Sequence, residues 1–570
     1  MSKVKNNKKT HTLHPEKKQT EPIAGALITP TPSELEPAET GRMALYLPYI
    51  LLALCLLSIA LLRYRLIGIP LERDEGEFAY IGKLILEGIP PFREAYDQKL
   101  PGVYFMYALF MGLFGISAEG IHTGLICLNL LNMFFLFGVG QKVADSWVGL
   151  GAAAIYGLIT ATPAVTGTSA HATNFVVLFV LPGLWAFLHG LEKKNIFWLA
   201  GSGLLLGLGF IMKQPGAFFV VMTVLLLFLH QLKFKTWSWG KWFLTTFLHG
   251  FMSLVPFFIV LGLMQYWGVF DKFWFWTFEY ALAYGIPIEE AWVNFSDSVK
   301  EITKVFGAFW ALAALGLGAL YFTPIKLEKK WFVIGLAFFG FLAISPGYIY
   351  RDHYFILWLP AIAILAALFL GLIAEKLKKI YSSFSYLAGA IFCFITIQGI
   401  AQEKKYFFRM QPNEISRKIF GLNPFVESPI IAKYLQKNTT PQDKIIIIGS
   451  EPQIYVYADR KAASGYIFTY GLVDGSRYNK PMLEEMMQEI RKNKPKFIVY
   501  CNIPTSWGMQ VVESKSYLME RLTQYVNENY RLVGLFDIMQ DGTLVEKWGQ
   551  EAFTHQSPNG LFFHILERNK

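Results

Sequence analysis

Eleven stretches of this chain stay apolar for about the thickness of a bilayer, and this repetition restricts the fold more than any other feature. They run near 44–62, 120–141, 147–163, 173–190, 196–212, 215–232, 242–264, 302–323, 331–346, 354–374 and 383–401. A helix rises about 1.5 Å per residue, so roughly 17–25 apolar residues cross the hydrocarbon core. Backbone polar groups find no water there, and only helices or a closed barrel satisfy them internally. Runs of this length read as helices. Charged residues make up 16% of the chain, against about 25% in a soluble domain, which excludes an ordinary soluble enzyme.

A twelfth run, 101–118, is ambiguous, and charge resolves it. If it does not cross, Lys142, Lys193, Lys194, Lys233, Lys235, Lys241, Lys326, Lys329, Lys330, Lys376, Lys378 and Lys379 all share a side with the Lys-rich N-terminal tail. The opposite short loops receive only Lys213, Lys272, Lys300 and Arg351. Cytoplasmic loops carry the excess of Lys and Arg. The expectation is therefore a multi-pass protein of the plasma (inner) membrane with about eleven spans and a cytoplasmic N-terminus. Run 101–118 becomes an interfacial or re-entrant helix in one long outer loop, 63–119. Residues 1–43 are polar and lack an apolar signal core, so they read as a disordered cytoplasmic tail. The net charge of +10 is carried by the topology clusters and argues against nucleic acid as a partner. Cys55, Cys127 and Cys393 lie in apolar runs and Cys501 stands alone, so neither a disulfide framework nor a Cys-type zinc site is expected.

From about residue 402 the composition turns ordinary. "KIIIIG" (444–449), "KFIVYC" (496–501) and "RLVGLF" (531–536) read as strands; 481–493 and 517–530 read as helices. Their alternation predicts a small extracytoplasmic α/β domain with a partly parallel sheet, over 402–570. It holds no phosphate-cradling glycine loop and receives no nucleotide.

The chemistry concentrates in "LERDEGEFAYIGKLILEGIPPFREAYDQKLPG", residues 71–102. Phe78, Ile81 and Ile85 repeat on one helical face, and Gly88 before Pro90 and Pro91 stops the helix. An amphipathic helix at the membrane surface is expected, with Asp74 and Glu75 at its start. Asp74 has two compatible readings: an N-cap with Glu77 completing a capping box, or a general base for an acceptor hydroxyl or amine at the lipid–water boundary. Lys99 is either a snorkelling interfacial lysine or a compact cation for a lipid phosphate. Lys213, in "MKQPG", caps a helix end or makes a second phosphate contact. Arg351 and His353 open the span 354–374, where free helix N–H groups suit an anion; simple interfacial anchoring is the alternative. The aromatic loop 265–300 reads as an interfacial belt or as a lid.

The stretch 73–102 resembles the first outer loop of bacterial relatives of the dolichyl-phosphate-mannose protein mannosyltransferases, of the GT-C type; the aminoarabinose transferases of lipid A are more distant relatives. The acidic pair, the small residue and Tyr80 in the following helix, and the closing Asp-x-Lys-x-Pro-Gly match in order. The likeness extends to "GLGFIMKQPG" (207–216), "YRDHYFILWLPAIAILAAL" (350–368) and "IIIIGSEPQIYVYADRKAASGY" (445–466). It implies a GT-C transmembrane catalytic domain over 44–401. Asp74 would act as base, Glu75 as its partner or an acceptor contact, and Lys99 as the phosphate ligand. Asp97 would orient Lys99 or the acceptor, and Tyr80 would touch sugar or acceptor. One departure is "TSAHATNFVVLF": Asn174 stands where relatives carry a carboxylate, with His171 beside it. Both are assigned to sugar or acceptor contacts.

The expected activity is transfer of one sugar from a polyprenyl-phosphate carrier to a glycan, lipid or protein acceptor on the extracytoplasmic face. No His, Asp or Glu spacing forms a metal motif, so no cofactor or metal is expected. The rivals are a secondary transporter or lipid flippase, and a scaffold whose tail domain binds a partner. Transporters place ionisable residues at mid-bilayer and often show paired repeats. Here the charges cluster at span ends and no repeat is visible.

Overall fold

The computed structural model describes residues 39–508 and 510–569. The tail expected to be disordered, 1–43, lies outside them except for 39–43, which open helix α1 (Glu39–Tyr64). Each of the eleven apolar runs falls on a helix. The first nine helices in chain order are α1, α2 (Arg73–Leu86), α3 (Gly102–Phe114), α4 (Ala118–Val143), α5 (Ser146–Thr160), α6 (Ala172–Lys193), α7 (Ile196–Met212), α8 (Ala217–Phe234) and α9 (Trp239–Tyr266). Later apolar helices are Gly307–Ala319, Leu327–Ile344, Leu359–Lys378 and Tyr386–Gln402.

Among the described residues, seven helices are long and apolar enough to cross a membrane, or eight if the pair Ile288–Ile302 and Gly307–Phe322, bent by 118°, is one span. This is fewer than the eleven expected. Helices α5 and α7 are short, and Leu327–Ile344 opens on Glu328, Lys329 and Lys330. Helix α3 has only 13 residues, about 20 Å of rise, too little to span.

Close packing holds the bundle. Without water inside a bilayer to drive helices together, small residues that let backbones approach become the contact. Gly203 and Gly207 of α7 do this against α9: a Cβ on either would lie 2.1 Å from the carbonyl oxygen of His249 or Ser253. The ends of the bundle differ in charge. Glu192, near the end of α6, accepts from Lys142 at 2.7 Å and Lys329 at 2.7 Å, so the Lys clusters grouped by the charge argument meet at one end. His171 precedes α6 at its other end, roughly 30 Å away along the helix.

The C-terminal region carries one five-stranded sheet of β1 (Ile445–Ile448), β2 (Phe497–Asn502), β3 (Tyr530–Ile538), β4 (Leu544–Trp548) and β5 (Phe562–Arg568), in the order β1-β2-β5-β3-β4. Strands β1 and β2 are parallel and the other pairs antiparallel. The three expected strands are present. Strands β4 and β5 were not expected, because Glu546, Lys547 and His564 break any continuous apolar run. Helices Asn479–Asn493 and Val512–Asn529 flank the sheet. Residues 48–570 pack as one compact unit. A Cβ on Gly76 of α2 would lie 2.4 Å from the Gln453 nitrogen, so α2 touches the Gln453–Ala458 helix backbone to backbone. Helix α2 is therefore covered: most of Arg73–Leu84 is buried, where an amphipathic helix at the membrane surface was expected.

Candidate active site

Helix α2 starts two residues earlier than its sequence suggests, and this sets the chemistry of Asp74. Glu72, not Asp74, is the N-cap: its carboxylate accepts from the Glu75 N–H at 2.8 Å, and Glu75 Oε2 accepts from the Glu72 N–H at 3.3 Å. A Glu72–Glu75 box replaces the Asp74–Glu77 box the spacing predicts. With the caps supplied by its neighbours, the Asp74 side chain stays uncommitted, 29% exposed, and lines a cavity of about 540 Å³.

Charges of both signs line that cavity: besides Asp74, the carboxylates are Glu72, Glu77, Asp97, Asp352 and Asp474. Lys99, Lys213 and Arg351 all line it. Lys99 pairs with Asp97 at 3.5 Å, and Asp97 also accepts from the Tyr104 hydroxyl at 2.8 Å. The Lys213 ammonium lies 3.8 Å from the centre of the Tyr354 ring, a cation–π seat. Burial alone would raise the Asp74 carboxyl, but Lys99 above all, with Arg351 and Lys213, holds it below the usual Asp range. Burial raises its neighbours instead, helped by other carboxylates: Glu72 by Asp74 and Glu75, Glu77 by Asp97, both well above the Glu range. Environments that split like groups apart mark out their roles: Asp74 is ionised between two acids biased to neutrality.

Two imidazoles complete this wall. His171 and His353 stack with ring centres 3.8 Å apart and planes at 12°. Burial pushes His171 down to about 4 and His353 well below its ordinary value, with nearby cations adding to both. Both rings are neutral at pH 7. Neither His171 nitrogen has a hydrogen-bond partner among the described residues, the nearest carboxylates being Glu72 at 3.7 Å and Asp74 at 3.9 Å, so the ring offers a donor and an acceptor to a ligand.

Asp74, His171 and His353 also form a group able to offer three metal-ligand atoms within 4.8 Å of one another. Sequence spacing could not show this, since the three residues are far apart in the chain. The geometry suits a metal poorly. An imidazole binds metal in its ring plane, and two stacked rings cannot both aim in-plane at one ion. The adjacent Lys99, Lys213 and Arg351 add like charge.

The cavity thus brings together Asp74, Asp97, Lys99, His171, Lys213, Arg351 and His353. Three expected site residues lie elsewhere. Glu75 Oε1 is turned away, accepting from His122 at 3.0 Å and from the Ala170 N–H at 2.6 Å; it ties α2 to α4 and to the loop before α6. Tyr80 is buried against Tyr455, its hydroxyl accepting from the Ala462 N–H at 2.7 Å, so it binds the C-terminal region rather than sugar. Asn174 is fully buried and donates to the Ser169 carbonyl at 3.2 Å; it does not line the cavity. Sequence reasoning also missed one wall altogether. Asn423, Phe425, Phe468, Tyr470, Asp474 and Thr505 face Asp74 from the C-terminal region, and no local pattern distinguishes them.

Residues 98–267 match the family model described as dolichyl-phosphate-mannose-protein mannosyltransferase, a segment that includes the Lys99 and Lys213 motifs. Among solved structures, the chain is similar to the archaeal oligosaccharyltransferase AglB from Archaeoglobus fulgidus in complex with an inhibitory peptide and a dolichol-phosphate. That match has TM-score 0.50 and 12% identity, over 89% of this chain and 75% of the other. It is also similar to ArnT from Cupriavidus metallidurans bound to undecaprenyl phosphate, with TM-score 0.51 and 15% identity, over 81% of this chain and 94% of the other. No curated protein matches the sequence. The expected resemblance is met by that family model over 98–267, and the expected fold class by the fold these structures share with the chain: a bundle of apolar helices with a small C-terminal mixed sheet.

Proposed function

We propose that this protein is a membrane glycosyltransferase that moves a sugar from a polyprenyl-phosphate carrier to a hydroxyl- or amine-bearing acceptor. One observation carries the reading: an uncapped carboxylate, Asp74, faces Lys99, Lys213 and Arg351 across a single cavity. The cations that hold Asp74 ionised form a ready seat for a phosphate leaving group. In the reaction the acceptor oxygen or nitrogen bonds to the anomeric carbon as the bond from that carbon to the phosphate oxygen breaks. The acceptor's proton passes to Asp74, and polyprenyl phosphate leaves with both bond electrons, its charge met by the three cations. Asp97 holds Lys99 in place, and His171 and His353 hydrogen-bond sugar or acceptor. The cavity end of the bundle is the extracytoplasmic side and the Lys-rich end the cytoplasmic side, following the excess of cytoplasmic Lys. The chemistry fits that side, since a donor used outside the cell must carry its own activated bond.

The direct test supplies purified protein with a polyprenyl-phosphate sugar and a mixture of envelope glycans, lipids and peptides, with and without chelator. Release of polyprenyl phosphate that depends on acceptor supports the reading; its absence with every acceptor defeats it. Activity unchanged by chelator is expected.

Lys213 adds a pH signature. Burial, then the like charge of Lys99, pushes its ammonium down to about 7. It is protonated below that pH and loses its charge as pH rises through it. A bound phosphate stabilises the charged form, so affinity for polyprenyl phosphate should fall about tenfold per unit of pKa gained on binding. Binding measured between about pH 6 and 9 checks this; Lys213→Arg, which stays charged, should flatten the profile.

A further inference from the structure

The residue immediately before Asp74, Arg73, also lines the cavity, but its guanidinium is anchored in the C-terminal region. Every hydrogen-bonding nitrogen of the Arg73 guanidinium ends on that region. Nε donates to the Ser450 carbonyl at 2.5 Å, Nη1 to the Tyr470 hydroxyl at 3.2 Å, and Nη2 to Glu451 at 2.6 Å and Asn423 at 3.1 Å. Glu451 is fully buried, 0% exposed. Its other bonds come from Gln453 at 2.7 Å and from the Ser506 hydroxyl. The Cys501 thiol at the end of β2 donates in turn to Ser506 at 3.2 Å. A continuous buried chain of polar groups therefore runs from the sheet to the residue that precedes Asp74. Other ties fix α2 at intervals along the same side: the Leu71 N–H to the Tyr457 hydroxyl at 2.8 Å, Gly76 against Gln453, Tyr80 to Ala462, and Lys83 to Asp459.

A carboxylate that takes a proton in a transition state must be held to a fraction of an ångström. The Asp74 side chain has no hydrogen-bond partner of its own among the described residues, so its position is set by the backbone of the first α2 turn. We infer that Glu451 is a positioning residue for transfer, holding Arg73 and thereby the first turn of α2 so that Asp74 faces the three cations. This rests on Asp74 being the base. It gives the C-terminal region a role in the reaction that its lack of a ligand motif does not suggest. A buried guanidinium that loses its carboxylate keeps its charge and must find new partners, and the nearest way is to swing, taking the α2 start with it.

The test is Glu451→Gln in the full chain, in nanodiscs, read by transfer kinetics and by hydrogen exchange of the α2 amides. The expected result is a kcat roughly 30- to 100-fold lower, with KM for the polyprenyl-phosphate sugar within about twofold. Exchange should quicken over residues 73–80 and hold elsewhere in the bundle. Glu451→Asp, which restores the charge, should recover part of the lost kcat. A Glu451→Gln protein with wild-type kcat and wild-type α2 protection overturns the inference, as does a loss confined to KM. Should wild type transfer no sugar, the base assignment fails, while quickened α2 exchange in the variant still supports the Arg73–Glu451 tie. If Glu451→Gln does not fold, Ser506→Ala removes one bond to Glu451 and is read in the same two ways.

Discussion

Asp74→Asn should lower kcat by about 10²- to 10⁴-fold, the range over which a positioned general base contributes, while the protein folds and binds polyprenyl phosphate normally. The second half of that expectation separates it from ordinary damage. In most helices an Asp in the first turn is suspected of capping, and its loss costs about 1 kcal/mol. Here Glu72 and Glu75 supply the cap, so the amide variant leaves the helix start intact. It also takes a negative charge away from the phosphate seat, and product affinity should hold or rise. Any acidic fall in wild-type kcat from the base itself should lie below the usual Asp range, because the surrounding cations hold the Asp74 carboxyl beneath it. A variant that keeps wild-type kcat, or one that loses polyprenyl phosphate binding in step with kcat, would remove Asp74 from the role of base.

How far these roles could be read in advance follows the physics of each residue. That Asp74 and Lys99 reach one cavity was legible because their signals are local: an acidic residue at a helix start, and a lysine in an Asp-x-Lys-x-Pro-Gly turn. The hydrophobic runs were legible as helices because a bilayer enforces one solution. Glu75 and Tyr80 sit in the same motif and were misplaced, because a helix presents successive residues at 100° steps. Asp74 meets the cavity, Glu75 turns to His122, and Tyr80 turns to Ala462. A shift of two residues in the cap decides which carboxylate is free. The stacked His171 and His353, and the wall from Asn423 to Thr505, depend on segments far apart in the chain, and no spacing encodes them. Strand β5 escaped because His564 breaks its apolar run, and its place between β2 and β3 is a pairing that only the finished sheet defines.

Lys99→Met should cost about 3 kcal/mol of transition-state stabilisation, the scale for one preorganised charge in a water-poor site, and so about 10²-fold in kcat. Lys99 is the cation best placed to act on both partners. Burial alone would lower its ammonium, yet Asp97 and Asp74 outweigh burial and hold it above the ordinary Lys range. It therefore stays charged at every working pH, unlike Lys213. Its removal leaves Asp97 served by the Tyr104 hydroxyl at 2.8 Å and the Gln98 N–H at 2.5 Å, so the loop should remain folded. The variant should also change the pH profile. Lys99 is the cation that most depresses Asp74; without it the carboxyl pKa rises, and the acidic fall of kcat moves to higher pH. The sign is fixed: loss of a neighbouring positive charge favours the protonated acid. A merely snorkelling lysine would produce neither the loss nor the shift. Lys99→Met with full kcat and an unmoved acidic limb would return Lys99 to that role and leave the phosphate to Lys213 and Arg351.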